Sequence, residues 1–200
     1  MNLFNVRQNL IVIEGLDKVG KSTLISNLQS HPVFGDSSFY NFPSFKFDYL
    51  RKLTKDFENT TAYLRDLSHA LSHGLTYLDM EQYLRKPNWV VCDRYYYSSL
   101  VYSDPRKMNK IEKLWMEPSP PIPKIIFYMY SEHPYPAFAS SREDEDPNDS
   151  MTAKHRKAIH KRYIKLFTEL EKSQGSHFIK ICVDDKTPEQ ILTEFTDHLI

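Results

Sequence analysis

Residues 10–30 restrict what this chain can become more than any other stretch. An apolar run, Leu10-Ile11-Val12-Ile13, leads into Gly15-Leu16-Asp17-Lys18-Val19-Gly20-Lys21-Ser22, and a helical pattern with Leu24, Ile25 and Leu28 on one face follows. The octet fits G-x-x-x-x-G-K-[ST], and strand–loop–helix is the context that pattern requires. Glycines let the backbone bend so that successive N–H groups point inward at phosphate oxygens. The start of the following helix adds the positive end of its dipole. Lys21 would reach the β- and γ-phosphates, and the Ser22 hydroxyl would ligate Mg²⁺. The chain holds only five glycines, so a chance match in a surface turn explains this context poorly. The motif implies binding of a nucleoside triphosphate and, by itself, nothing more.

Three more apolar runs read as buried strands: Trp89-Val90-Val91-Cys92, Ile125-Ile126-Phe127-Tyr128-Met129 and Phe178-Ile179-Lys180-Ile181-Cys182-Val183. Phe39-Tyr40-Asn41-Phe42 is a weaker fifth. Continuous apolarity, without strict alternation, fits strands covered on both faces. Helical patterns lie between them. Thr61 to Arg85 carries Leu64, Leu67, Leu71, Leu75, Leu78 and Tyr83 at mostly three- and four-residue steps. Ala153 to Lys172 carries Ile159, Tyr163, Leu166, Phe167 and Leu170, and Pro188 to Ile200 carries Ile191, Leu192, Phe195 and Leu199 behind a Thr187 N-cap. This alternation predicts an α/β three-layer sandwich: a five-stranded parallel sheet with helices on both faces. The polar, proline-bearing segment from Ser131 to about residue 150, with Glu143-Asp144-Glu145-Asp146, reads as a mobile surface loop or lid.

At 200 residues the chain suits one domain with a full core. Its 26 basic and 26 acidic residues cancel, which argues against whole-surface binding to nucleic acid or to an anionic membrane. No apolar run approaches the ~20 residues of a membrane span, and the first seven residues are too polar to read as a secretory signal. Cys92 and Cys182 sit inside apolar runs and read as buried thiols of a reducing compartment. A cytoplasmic location is the default expectation, with nucleus or another reducing compartment open.

Asp93-Arg94 directly follows the strand Trp89–Cys92. In open parallel sheets ligands sit at the carboxyl ends of strands. An acid there can hold Mg²⁺ directly or through water, and an adjacent arginine can grip phosphate with two donors. Such a pair could be an ordinary surface salt bridge, but beside a phosphate loop both elements converge on one edge.

The stretch Asp93-Arg94-Tyr95-Tyr96-Tyr97-Ser98-Ser99-Leu100-Val101-Tyr102 resembles the D-R-Y-x-x-S-x-x-A-[YF] motif of the thymidylate kinase family. Glu14-Gly15-Leu16-Asp17-Lys18-Val19-Gly20-Lys21-Ser22-Thr23 is similar to that family's E-G-x-D-x-x-G-K-[ST]-T, and Asn41-Phe42-Pro43 to its F-P motif. The resemblance covers roughly residues 9 to 173. It implies a P-loop kinase fold, with ATP and a nucleoside monophosphate as substrates, most simply dTMP going to dTDP. It implies ATP binding by Gly15, Asp17, Lys18, Val19, Gly20, Lys21, Ser22 and Thr23. Lys18, Lys21 and Arg94 would stabilise the transferring phosphoryl group, and Ser22 and Asp93 would hold Mg²⁺. Asp17 would meet the acceptor sugar 3′-hydroxyl or organise the phosphates. Arg94 would bind phosphates of donor or acceptor, Phe42 would line the acceptor pocket, and Tyr102 would lie near C2′ of the sugar. A homodimer is a further expectation of the resemblance.

Several positions depart from the family pattern. Ser44 and Phe45 follow F-P where the family has an acceptor-binding Arg, the nearest bases being Lys46 and Arg51. His69 and His73 stand where the family has a stacking Phe and a base-binding Arg. An imidazole can stack and donate, but it has no fork of donors. Beside this base-pocket reading stand a structural one and, last, a metal pair at i,i+4 spacing, for which no Glu or Cys completes a zinc pattern. Tyr96 and Tyr97 read as packing. Lys154-His155-Arg156-Lys157 reads as a solvated face with a possible share in gripping phosphate, and Asn109-Lys110-Ile111-Glu112 as a chance echo of a guanine-reading motif. Two rival readings stay open: a deoxynucleoside kinase, with Glu14 as base, and a nucleotide-binding module without transferase activity.

Overall fold

The computed structural model describes residues 6–47, 49–50, 52, 62–102, 120–133 and 153–199. Its centre is β1 (Val6–Gly15), where Leu10, Ile11, Val12 and Ile13 have no solvent exposure. Around it run α1 (Lys21–Gln29), β2 (Ser38–Asn41), α2 (Ala62–Leu84), β3 (Val90–Asp93), α3 (Tyr96–Tyr102), β4 (Ile122–Tyr130), α4 (Ala153–Gln174), β5 (His177–Cys182) and α5 (Pro188–Asp197). The strands form one parallel sheet in the order β2-β3-β1-β4-β5. The expected α/β sandwich is therefore present, the weak second strand included.

Alternation along β4 sends successive side chains to opposite faces. Phe127 meets Phe195 of α5 with ring centroids 4.0 Å apart, while Tyr128 meets Tyr163 of α4 at 5.0 Å. Helices thus cover both faces. Truncating Phe195 to Ala would leave a cavity costing roughly 3–5 kcal/mol. Thr187 caps α5 as its sequence suggests: its hydroxyl accepts from Gln190 N–H at 3.3 Å, and Gln190 Oε1 accepts from Thr187 N–H at 2.8 Å. This reciprocal box is worth about 1 kcal/mol.

The leucines that mark the helical period of α2 do not all face the core. Leu67, Leu71 and Leu78 are 40%, 51% and 71% exposed, and the helix instead packs His73, Tyr77, Met80 and Leu84 inward. The sequence carries two apolar stripes on this helix. The aromatic one wins because Phe42 and Tyr95 offer Tyr77 ring partners at 5.5 and 5.4 Å.

Register fixes where chemistry can happen. Ile13 lies level with Asp93, and Asn41 with Asp93 on its other side, so β2 and β3 end together while β1 runs two residues further, to Gly15. The loop 15–20 and the residues after β3 share that edge. Residues 134–150 of the polar segment read as a loop or lid, acidic cluster included, lie outside the described residues, as do Arg51 and residues 109–112. No helix among the described residues is long and apolar enough to cross a membrane.

Candidate active site

The loop between β1 and α1 is shaped by its glycines. A Cβ on Gly15 would sit 2.3 Å from the Met129 carbonyl oxygen, so only glycine lets β1 run this close to β4 at the loop's root. Gly20 adopts the left-handed conformation (φ 83°) and starts α1 with no side-chain cap. Lys18 is left-handed too (φ 62°), a conformation that costs a non-glycine residue about 1–3 kcal/mol and that gathers at functional sites.

Lys21, in the first turn of α1, folds back over this loop. Its Nζ donates to Leu16 O at 2.5 Å and Gly15 O at 3.3 Å. Burial, aided by the Arg94 charge, lowers its pKa to about 7, against the opposing pull of Asp17, Asp93 and Glu14. A cation this poorly compensated is poised for phosphate. Ser22 is exposed at the same helix start, Thr23 half-buried and Val19 fully buried.

Arg94 also has a left-handed backbone (φ 65°), with its N–H bonded to Ile13 O at 2.8 Å. Its guanidinium crosses to the loop. Nη2 donates to Asp17 Oδ1, and Nη1 donates to Gly15 O at 3.3 Å and to Ser98 Oγ at 3.1 Å. Burial would lower its pKa, but Tyr163, Glu14 and Asp17 outweigh this and raise it, so it stays charged. Tyr102 completes the corner. Its hydroxyl donates to Asp17 Oδ2 at 3.4 Å, and its ring lies 5.9 Å from the Arg94 guanidinium. Burial, then the Asp17 charge, pushes its pKa up to about 12. Asp93 is raised by burial, with the charges of Lys21 and Arg94 opposing, and accepts from Asn41 Nδ2 at 3.4 Å.

On the side towards α2, Phe42 is buried and packs edge-on to His73 and Tyr95, both at 5.0 Å between centroids. His73 is 2% exposed within this aromatic cluster, and His69 is half-buried one turn earlier. Among the described residues no group of three or more His, Cys, Asp and Glu could hold a metal ion. Tyr96 and Tyr97 are buried packing residues, as expected. Lys46 is committed to α2, donating to Asp79 Oδ1 at 2.7 Å, and Tyr40 donates to the same carboxylate at 3.1 Å.

Two residues play parts the sequence did not disclose. Arg156 is no member of a solvated face. It is 7% exposed, and its Nη1 and Nη2 both donate to the Asp17 carbonyl oxygen at 3.3 Å, whereas Lys154, His155 and Lys157 are exposed. Its one signal was position, at the start of the helix that follows the polar segment. Glu14, the base required by the deoxynucleoside kinase reading, is fully buried and bonded to Tyr95, Ser98 and Tyr163. In this arrangement the carboxylate faces four protein donors and no open cleft, which does not favour the base role.

A family model described as thymidylate kinase matches residues 13–182. The probable thymidylate kinase of Staphylothermus marinus is 35% identical over 96 residues, which cover 46% of this chain and 48% of that protein. The aligned part thus spans about half the length of that relative. The thymidylate kinase of Plasmodium falciparum is 29% identical over 163 residues, covering 76% of this chain and 74% of that one. A solved structure of thymidylate kinase from Candida albicans, whose title refers to broad substrate specificity, superposes with a TM-score of 0.70. It covers 98% of this chain and 92% of that chain at 18% identity, a likeness of fold.

Proposed function

The chain belongs to the thymidylate kinase family, and from that premise we propose that it transfers the γ-phosphoryl group of ATP to dTMP, giving dTDP. The observation that carries this reading is the corner at Asp17. One loop carboxylate receives both the Arg94 guanidinium and the Tyr102 hydroxyl, beside the phosphate cradle. A second ligand is thereby directed to a site adjoining the first.

Phosphoryl transfer requires little covalent help from a protein; positioning and charge neutralisation dominate. Amides of residues 15–23 bind the donor phosphates, and Lys21 takes the β/γ charge. Lys18 and Arg94 flank the transferring group. An acceptor phosphate is nucleophilic near neutral pH, so no general base is needed. Phe42, His73 and His69 line the acceptor side, and Tyr102 limits space at C2′.

Mg²⁺ fits the donors present. The Ser22 hydroxyl and the Asp93 carboxylate are hard oxygen ligands, and Asp93 is half-buried, with a pKa raised by burial that a cation would bring back down. With no all-protein metal cluster among the described residues, the ion would be shared with nucleotide phosphates and waters. When bound, it neutralises phosphate charge.

The reading extends to a homodimer, supported by the exposed leucines on α2. It extends to a cytoplasmic location, supported by the free thiols of Cys92 and Cys182. The deciding experiment assays all common NMPs and dNMPs with ATP and Mg²⁺. Phosphorylation led by dTMP is expected. ATP binding without turnover of any monophosphate would leave a nucleotide-binding module instead.

A further inference from the structure

Glu14, at the end of β1, is 0% exposed, yet its carboxylate receives four hydrogen bonds from two separate elements. Oε1 accepts from the Tyr95 N–H at 2.9 Å and the Ser98 N–H at 3.1 Å. Oε2 accepts from the Ser98 hydroxyl at 2.7 Å and from the Tyr163 hydroxyl of α4 at 3.1 Å. Burial raises its pKa, while Arg94, Ser98, Lys21 and Tyr163 oppose that shift. An ionised carboxylate only accepts hydrogen bonds, and it is surrounded here by donors, two of them backbone amides that cannot reverse their role.

Ser98 is the junction. It has one hydroxyl proton. Given to Glu14, that proton leaves the oxygen free to accept, and Arg94 Nη1 donates to it at 3.1 Å. Arg94 Nη2 then reaches Asp17 on the phosphate loop. Glu14 grips the same turn through the backbone as well: the amides it binds belong to the residue after the left-handed Arg94 and to Ser98, three residues further on. Backbone and side chain of Arg94 are therefore both fixed with reference to one carboxylate, which is covalently joined to Gly15.

We infer that Glu14 is the positioning residue for Arg94, holding its guanidinium at the phosphate loop through the Ser98 hydroxyl. The inference rests on the role proposed above for Arg94. Glu14 touches no substrate and moves no proton. It acts by removing freedom from the cation that does touch phosphate, a form of preorganisation. A charge-assisted chain of this kind, closed at both ends by carboxylates, holds its hydroxyl in one orientation.

The test compares Glu14→Gln and Ser98→Ala with the wild-type chain by two readouts. In ¹⁵N-edited NMR of the nucleotide-free protein, wild type shows protected Arg94 guanidinium protons, assigned by their loss in Arg94→Ala. Both variants lose that protection while keeping the native backbone spectrum. In turnover assays with ATP and dTMP, both lower kcat roughly 10- to 100-fold with little change in KM for ATP. Neither costs anything further in an Arg94→Ala background, because the group they position is gone. Should Glu14→Gln fail to fold, Ser98→Ala leaves Glu14 its two amides and Tyr163 and carries both readouts. Protected Arg94 protons in the variants, or equal losses with and without Arg94, would overturn the inference. A wild-type chain that phosphorylates no monophosphate would refute the functional reading, while the Arg94 signals would still decide the positioning role.

Discussion

The Arg94 guanidinium and the Asp17 carboxylate form an ion pair that ties the turn after β3 to the middle of the phosphate loop. Asp17 is more than a third exposed on its side chain while Arg94 is mostly covered, so the pair has one face towards the cleft. Replacing Asp17 with Asn keeps shape and one acceptor but removes the charge. The expected outcome is a roughly tenfold or greater loss of kcat/KM for the monophosphate with a smaller change for ATP. Steady-state kinetics with each substrate varied in turn checks this. A loss larger for ATP than for the monophosphate would place Asp17 on the donor side.

Lys21→Ala should abolish measurable transfer with the fold intact, a loss of at least 10²–10³-fold, because phosphate charge is left uncompensated. Circular dichroism and turnover together report it. Near-normal turnover in the variant would refute the assigned role.

The same lysine predicts a proton linkage. Its pKa is about 7 in the folded, nucleotide-free chain against an ordinary 10.5. Between those values the unfolded chain binds more protons than the folded one, so this group's contribution makes stability rise with pH from about 7 towards 10.5. The destabilisation is fully present below about 7. ATP binding restores the charge, so at pH 8 binding should take up close to one proton. Calorimetry in buffers of different ionisation enthalpy measures that number, and zero uptake would contradict it.

Tyr102→Ala should relax discrimination against ribonucleotides by opening space beside the Asp17–Arg94 corner. The readout is the ratio of kcat/KM for a dNMP to that for the matching NMP. An unchanged ratio would remove the sugar-gate role.

Leu71→Glu with Leu78→Glu should yield a monomer in size-exclusion chromatography with light scattering, since both side chains are exposed and face no core. A wild-type chain already monomeric at micromolar concentration would refute the homodimer.

Local chemistry was readable from the chain; long-range reach was not. The loop 15–22 and Thr187 announce themselves because glycine, lysine and capping residues act within a few positions of their own backbone. Asp93-Arg94 falls beside the loop because β3 pairs directly with β1, Ile13 level with Asp93. Arg156 was not, because burial of a charged helix residue depends on Asp17 standing 139 positions away. Glu14 shows the same limit: its four donors come from 81 to 149 residues further along the chain. On α2, periodicity identified a helix but not which of two stripes faces inward, since that depends on the rings waiting in Phe42 and Tyr95.

The close fit of Gly15 against the Met129 carbonyl bears on how this catalyst can diversify. The root of the loop has no room for even one methyl group, so natural or laboratory variation there would pry two neighbouring strands apart. Novelty in what the chain accepts would therefore come from the opposite bank, where Phe42 after β2 and His69 and His73 on α2 are side chains that can be exchanged without reopening the sheet.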